Sequence, residues 1–276
     1  MKLLFLTTRL PYPPCGGERV RPYYFLKYLP RDWNITLLSF VEHDSESNVL
    51  SEYRQDNVRI RTVRLSRFES YSKSALSLFG KDPLQVAYYS SGRMARLVQE
   101  ELRSGSYDCA FAHLLRMGHY LKKFASVPKI LDLSDALTLR YALSSPLQPP
   151  VHKFIEGLES RRLGRYEPWI ARQFDRALVA SRIDKRYLEE RLGVKELEVV
   201  ENGVDLPDLE ERPVRMNSKK IVFFGNMRTF HNADAARYFY TTIFPVVRRS
   251  VPDVQFYIVG ASIPGFLKAF GRDTSV

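Results

Sequence analysis

Residues 219–235 read KKIVFFGNMRTFHNADA, and they follow Glu201-Asn202-Gly203-Val204-Asp205 after a polar stretch. The apolar run Ile221 to Phe224 has the length and residue types of a strand, and Gly225 breaks it. Asn232 is then the expected cap of an amphipathic helix beginning near Ala233. Strand, glycine turn and helix start in that order form an anion site, because the first N–H groups of a helix lack partners and its dipole is positive there. On this loop alone the plainer reading is the better one: Gly225 lets a strand turn into a helix, and neither G-x-G-x-x-G nor P-loop spacing is present. The rest of the chain has to decide.

At 276 residues, with 45% hydrophobic and 13% aromatic residues, the chain has material for two globular domains with real cores. Its net charge of +11 implies attraction to something anionic: a nucleotide, a phospholipid surface, an anionic glycan or a nucleic acid. Nucleic acid is disfavoured, since Lys and Arg are scattered and no RRM, KH, zinc-finger or helix-turn-helix pattern is present. The two cysteines, Cys15 and Cys109, are too few for a disulfide framework and lack metal-type spacing, which suits a reducing compartment. The opening MKLLFLTTRLPYPP is too short in its apolar part for a signal peptide and reads as a first buried strand. No apolar run approaches the ~18 residues of a membrane span. A cytoplasmic protein is expected, with peripheral contact at the inner membrane face allowed.

Working outward along the chain, Lys2 to Thr8 is a near-continuous apolar run, the mark of a strand covered on both faces of a parallel sheet. It ends in a proline-stiffened loop with paired glycines, Gly16 and Gly17, where the backbone is free to adopt positive φ and a ligand can approach closely. Val20, Tyr23, Tyr24, Lys27 and Tyr28 follow with helical spacing, and Asn34 to Phe40 gives the next strand, completing a β-α-β unit. Strands are expected at Val58–Leu65, Tyr107–His113, Lys129–Leu133, Arg176–Ala180 and Glu198–Glu201, with helices at Ser91–Arg103 and from Ser181 to Leu192. The segments Asp44–Gln55 and Arg67–Gln85 are expected to be helical in part. Between His152 and Phe174 a long helical pattern places Phe154, Leu158, Leu163, Tyr166, Ile170 and Phe174 on an apolar stripe. Arg161, Arg162, Arg165 and Arg172 lie mostly off it, and Pro168 is expected to kink or split the helix. That basic face fits a solvated surface, or contact with anionic lipid.

Polar groups arrive at several strand ends. The Tyr107 run stops at His113, and the Lys129 run stops at Asp132-Leu133-Ser134-Asp135. In an open parallel sheet ligands bind beyond the carboxyl ends of the strands, so such groups converge on one place. Singly, His113 reads as a satisfied core histidine and Asp135 as the cap of a helix from Ala136. Together with the Gly16-Gly17 loop, they read as a site.

Leu206 to Ser218 is polar, carries two prolines and shows no period, so it is taken as the linker between a domain 1–205 and a second stretch 219–276. A second β-α-β unit follows there: Ile221–Phe224, a helix from Ala233 to about Arg248, and Val254–Val259 ending at Gly260. With Gly16-Gly17 after the first strand, VENGVD before the linker, and IVFFGNM, NADA and FPVVRRSVPDVQFYIVG after it, the chain resembles the GT-B glycosyltransferases, specifically the bacterial family 4 (group 1) type. The match covers the family's N-terminal domain, its crossover and the first β-α-β of its C-terminal domain.

The resemblance implies an α/β protein with an N-terminal Rossmann-like doubly wound parallel sheet on the acceptor side. The first half of a second Rossmann-like domain would follow on the nucleotide-sugar side. It implies retaining transfer from a nucleotide sugar to a glycan or lipid-linked acceptor in bacterial polysaccharide synthesis, with no metal and no cofactor besides the donor substrate. His113 and Asp135 would be the catalytic residues. Gly16, Gly17, Asn202, Gly203, Gly225, Asn226, Arg228, His231 and Asn232 would surround the donor. The family's Gly-Arg pair and following Lys are replaced here by Asn226 and Asn232, so Arg228, with His231 as the weaker candidate, is left to hold the diphosphate. Many members also carry a histidine where Asp135 stands. The family's E-x7-E pair does not occur before Val276, so the chain is expected to be truncated within its C-terminal domain and inactive alone. The competing reading is a non-catalytic binding module or one half of a split enzyme. A dinucleotide-binding dehydrogenase is disfavoured, because Thr7 to Gly17 lacks the fingerprint.

Overall fold

The apolar run at the N-terminus becomes strand β1 (Lys2–Thr7), an interior strand of a seven-stranded parallel sheet in the order β3-β2-β1-β4-β5-β6-β7. The computed structural model describes residues 1–43, 46, 56–144, 150–206 and 219–276. The chain divides into two units, Met1–Asp205 and Leu206–Val276. Residues 207–218 of the expected linker lie outside the described residues, as does the expected partial helix at 44–55 apart from Glu46.

In the larger unit, α1 (Gly17–Tyr28) leads to β2 (Asn34–Val41) and β3 (Val58–Arg64) on one side of β1. The chain then forms α2 (Arg67–Ser77), α3 (Leu84–Tyr88) and α4 (Gly92–Ser104), and crosses to β4 (Cys109–His113) on the other side. Next come α5 (Leu115–Gly118), β5 (Lys129–Ser134), α6 (Leu137–Ser144) and α7 (Pro150–Ala171). The unit closes with β6 (Arg176–Val179), α8 (Arg182–Leu192) and β7 (Leu197–Val199). Strand periodicity sends successive side chains to opposite faces. Leu4 and Leu6 therefore join a cluster with Met94, Leu163, Ile170 and Leu188. Leu3 and Phe5 join Leu26, Leu37 and Phe111 on the other face. Both faces are covered, which is why the β1 sequence is apolar without alternation. Strands leaving β1 in both directions make the sheet doubly wound, and polar groups at its carboxyl edge meet beside the β1/β4 switch.

Helix α7 is continuous to Ala171, with Pro168 inside it. The expected split does not occur: Pro168 lies in the last turn, where its missing N–H leaves only the Gly164 carbonyl without an intrahelical donor. The expected solvated arginine face is corrected at Arg162, which is buried, while Phe154 of the expected apolar stripe is exposed.

The smaller unit pairs β8 (Lys220–Phe224) in parallel with β9 (Gln255–Val259). The single helix expected between them is instead three pieces: α9 (Phe230–Tyr238), a π-helical turn (Phe239–Ile243) and α10 (Phe244–Ser250). Pro245 in the first turn of α10 has no N–H for a regular i→i−4 bond, which accounts for the change of winding just before it. A short helix α11 (Gly265–Lys268) follows β9. The glycines ending the two strands touch: a Cβ on Gly260 would fall 1.7 Å from the Gly225 carbonyl oxygen, so no side chain fits there. Among the described residues nothing buries one face of this small sheet, where Val222, Phe224, Tyr257 and Val259 are exposed.

Candidate functional site

Asp132 near the end of β5 organises the carboxyl edge of the larger sheet. Its carboxylate takes both Nε and Nη2 of Arg21, from α1, at 2.9–3.1 Å. On the same carboxylate, Oδ2 lies 2.8 Å from Nδ1 of His113 at the end of β4. Arg21 spends its remaining donor, Nη1, on the Val200 carbonyl (2.6 Å) and on Oδ1 of Asn202 (3.0 Å). One buried network thus ties together α1, two strand ends and the segment after β7. Burial opposes a charge on Asp132, yet His113 and Arg21 hold its carboxyl below the ordinary carboxylate range. An ionised carboxylate only accepts hydrogen bonds, so Nδ1 of His113 carries the hydrogen. Nε2 of His113 is buried and has no partner among the described residues, and neither do the hydroxyls of Thr7 and Thr8 on the adjoining strand end.

The backbone around this network is unusual. Leu114, directly after His113, has φ 70 and ψ 142, a region that a leucine rarely occupies. Ser134 has φ 66, and the β5–β6 register shifts between Asp132 and Ser134 as at a bulge. Bulges and such φ values re-aim side chains, at a cost of about 1–3 kcal/mol per strained residue, and they gather at functional sites.

A second shell of charge lies alongside. Arg116 pairs with Glu18 at 2.7 Å. Burial alone would raise the Glu18 carboxyl, but Arg116, Arg9 and His113 together hold it low. Asp135 moves the other way: burial and the nearby Asp184 raise its carboxyl, against the pull of Arg140, 3.2 Å away, and of Arg116. His113 and Asp135 therefore share the neighbourhood of Arg116. Asp135 is not the expected cap of the following helix. The Ala136 N–H donates to Asp184, and those of Leu137 and Thr138 donate to Glu167.

Gly16 opens α1 with φ 92, a conformation that favours glycine, and a Cβ at Gly16 or Gly17 would meet nothing within 4 Å. The space above this loop is open. Asn202 is held by Arg21 as described, and Gly203 beyond it is exposed. The following residue pair leads to Asp205, which accepts from Tyr28 Oη at 2.6 Å and pairs with Lys27, clasping the segment along α1.

In the smaller unit, Gly225, Asn226 and Asn232 come together. Asn232 does not cap the helix, which starts at Phe230 behind Thr229. Its Nδ2 instead donates to the Asn226 carbonyl at 3.0 Å and lies where a Gly225 Cβ would crowd it. Asn226 Oδ1 accepts the Arg228 N–H at 3.0 Å, so the loop is pinned by its own side chains. The side chains of Arg228 and His231 are not drawn into this arrangement; both residues are exposed, without a hydrogen-bonded or ion-pair side-chain partner among the described residues.

Four residues of the network escaped the sequence reading: Arg21, Asp132, Glu18 and Arg116. Asp132 did leave a trace, as an ionisable residue inside an apolar strand. Its partner Arg21 sits 111 positions away, on a helix with almost no amphipathic pattern to mark a buried arginine as odd. Among the described residues, no group of three or more His, Cys, Asp or Glu side chains could hold a metal ion, and no helix is long and apolar enough to cross a membrane.

No protein-family model matches the sequence, and no curated protein matches it either. Solved structures do match. Sucrose-phosphate synthase from Thermosynechococcus elongatus aligns with 100% of this chain and 69% of its own length, at 12% identity and a TM-score of 0.61. Phytolacca americana UGT2, complexed with UDP-2fluoro-glucose and pterostilbene, aligns with 99% of this chain and 69% of its own length, at 12% identity and a TM-score of 0.53. The fold is GT-B-like. At this identity the likeness is one of architecture, and the GT-B-like frame leaves the chemistry to be argued from the network itself.

Proposed function

We propose that the chain belongs to a glycosyltransferase that moves a sugar from a nucleotide-sugar donor to a glycan or lipid-linked acceptor, in bacterial polysaccharide synthesis and on the family 4 pattern. Residues 1–205 form the acceptor-side domain and 219–276 part of the donor-side domain. The observation that carries this reading is His113: a buried imidazole, fixed by Asp132 through Nδ1, with Nε2 left for a substrate hydroxyl at the carboxyl edge of a doubly wound sheet. The strained Leu114 and Ser134 beside it support the same assignment.

In this reading His113 Nε2 and Asp135 contact the acceptor and the transferred sugar, and Asp132 and Arg21 position His113. Gly16 and Gly17 leave room for the donor, while Asn202 and Gly203 shape its approach. Gly225, Asn226, Asn232, His231 and above all Arg228 face the donor diphosphate. The departing diphosphate gains negative charge as the glycosidic bond breaks, so preorganised N–H groups and cations aimed at it lower the barrier. Such a site needs no cofactor besides the donor, operates without a metal and is consistent with retention.

A second reading is favoured by one specific observation. The uncovered apolar face of the small sheet, with Phe224 82% exposed, fits a chain that needs further polypeptide to complete the donor domain. In that case residues 1–276 are a truncated or split enzyme, or a binding module, and transfer no sugar alone.

Calorimetry with UDP-, GDP- and ADP-sugars, on this chain and on one extended by a complete donor domain, tests both. The expected result is binding and turnover only in the extended protein, with turnover but not binding lost on His113→Ala. Robust turnover by residues 1–276 would sink the incomplete-pocket reading, and indifference of the extended protein to His113→Ala would sink the site.

A further inference from the structure

His119 follows α5 directly, and two contacts fix its imidazole. Nδ1 lies 2.9 Å from the Arg116 carbonyl, and the ring packs on Tyr120 with centroids 3.8 Å apart. A carbonyl only accepts, so Nδ1 carries the hydrogen and Nε2 presents a lone pair. Burial outweighs the bond to Arg116 and, with Lys122 adding to it, brings the imidazole down to about 4, so the ring is neutral at neutral pH. Nε2 is buried and has no hydrogen-bond partner among the described residues. Tyr166 on α7 supplies the complement. Its hydroxyl is buried and unpartnered in the same way, and burial pushes it up, so it keeps its proton and can donate.

Both residues line one cavity of about 440 Å³, set between α2, α3, the turn after α5 and α7. That volume falls in the roughly 300–1,000 Å³ range of small-molecule sites and far exceeds the ~30 Å³ share of one water. None of Arg21, His113, Asp132 and Asp135 lines it, so it is separate from the carboxyl-edge network. A ligand here has to donate to Nε2 of His119 and accept from Tyr166. An anion fails the first condition, since it would set negative charge against a lone pair. The cations at the wall are also engaged: Lys73 pairs with Glu69 and donates to the Ser90 carbonyl, and Lys122 sits over the Trp169 ring. A flat base fits poorly, because the His119 ring is packed on Tyr120 and that of Tyr166 on Trp169, while Val86 and Ala87 offer aliphatic wall. Sugar hydroxyls both donate and accept, and the C–H face of a pyranose suits Val86 and Ala87. Asp82, exposed where it lines the cavity, can accept from a further hydroxyl.

We propose that this cavity is a second, non-catalytic carbohydrate site that holds one neutral sugar residue, with His119 Nε2 accepting from one of its hydroxyls and Tyr166 donating to another of its oxygens. The inference is independent of sugar transfer, since binding is read on the 276-residue chain without a nucleotide sugar, and either can fail while the other stands.

The test is saturation-transfer-difference NMR of the 276-residue chain with the methyl glycosides of glucose, galactose, mannose and N-acetylglucosamine, and with adenosine and uridine as competitors. At least one glycoside should bind, and neither nucleoside should displace it. Tyr166→Phe deletes a hydroxyl that has no hydrogen bond to lose among the described residues, so the fold should stand while the Kd of the glycoside rises roughly three- to tenfold, the value of one uncharged hydrogen bond. Ala87→Leu puts a larger side chain into the cavity and should abolish binding, with thermal unfolding showing that the variant is folded. The proposal is overturned if no glycoside binds, as for a cavity filled by water alone, or if a nucleoside displaces the glycoside. It is overturned equally if either folded variant binds the glycoside as the wild type does, which would put the sugar elsewhere on the chain.

Discussion

Arg21 and Asp132 form a forked ion pair with side chains only 4% and 0% exposed, and the pair holds the histidine at the end of the neighbouring strand. Removing one member leaves the other charge buried and uncompensated, which typically costs about 3–5 kcal/mol. Asp132→Asn should therefore lower unfolding free energy by about that amount in urea titrations, whereas a surface change such as Asp253→Asn should leave the curve almost unmoved. Because the folded carboxyl is held below its ordinary value, its contribution is present at neutral pH and disappears as pH falls below the carboxylate range. The stability difference between wild type and Asp132→Asn should narrow there.

Glu167 gives the opposite pH dependence. It is fully buried on α7, and its carboxylate caps the start of α6, accepting from the N–H groups of Leu137 and Thr138 and from the Thr138 hydroxyl. Burial outweighs these bonds and pushes its carboxyl up from 4.5 to about 7, with Asp135 adding to the rise. A raised folded value means stability fully present below the unfolded pKa and lost as pH climbs through the folded one, here between about 4.5 and 7. The loss is about 3 kcal/mol at most. Unfolding curves across that window should slope downward for the wild type and flatten for Glu167→Gln. An unchanged slope in the variant would refute the assignment.

Much of this architecture is legible in the sequence because parallel strands buried on both faces have to be apolar runs. Lys2–Thr7, Cys109–His113 and Lys129–Ser134 stand where such runs predict them. His113 and Asn202 also stand out locally, one ending a strand and the other before a glycine. What joins them does not, since Arg21 and Asp132 become partners only when the sheet brings α1 beside β5. The helix after β8 misleads for a local reason: Asn232 looks like a cap, yet the helix begins earlier, at Phe230, and from within it the Asn232 Nδ2 donates back to the Asn226 carbonyl. Arg162 misleads likewise, because helical periodicity cannot foresee that the turn at Leu78 folds over it.

Arg228 is the exposed cation of the glycine loop in the smaller unit, whereas Arg237 further along α9 is already paired with Asp234. In a chain extended by a complete donor domain, Arg228→Ala should raise the Kd for the nucleotide sugar by roughly ten- to a hundredfold, the value of one charge-assisted hydrogen bond. Arg237→Ala should change it by less than about twofold, as expected of a surface pair. Equal effects in calorimetry would remove Arg228 from the donor site.

The two cysteines respond differently to thiol reagents. Cys109 is buried in β4, and burial, with Asp175 nearby, pushes its thiol up to about 11. Thiolate is the reacting form, so Cys109 should be silent in the native protein at neutral pH. Cys15 is exposed immediately before Gly16, at the loop assigned to the donor. One equivalent of reagent should therefore be taken up natively and two after unfolding. In the extended protein a saturating nucleotide sugar should slow the native reaction severalfold, while Cys15→Ser abolishes it without altering the fold. Ligand binding that leaves the Cys15 rate unchanged would place the donor away from the Gly16-Gly17 loop. The glycines there would then serve only the turn into α1, for which the φ of 92 at Gly16 is reason enough.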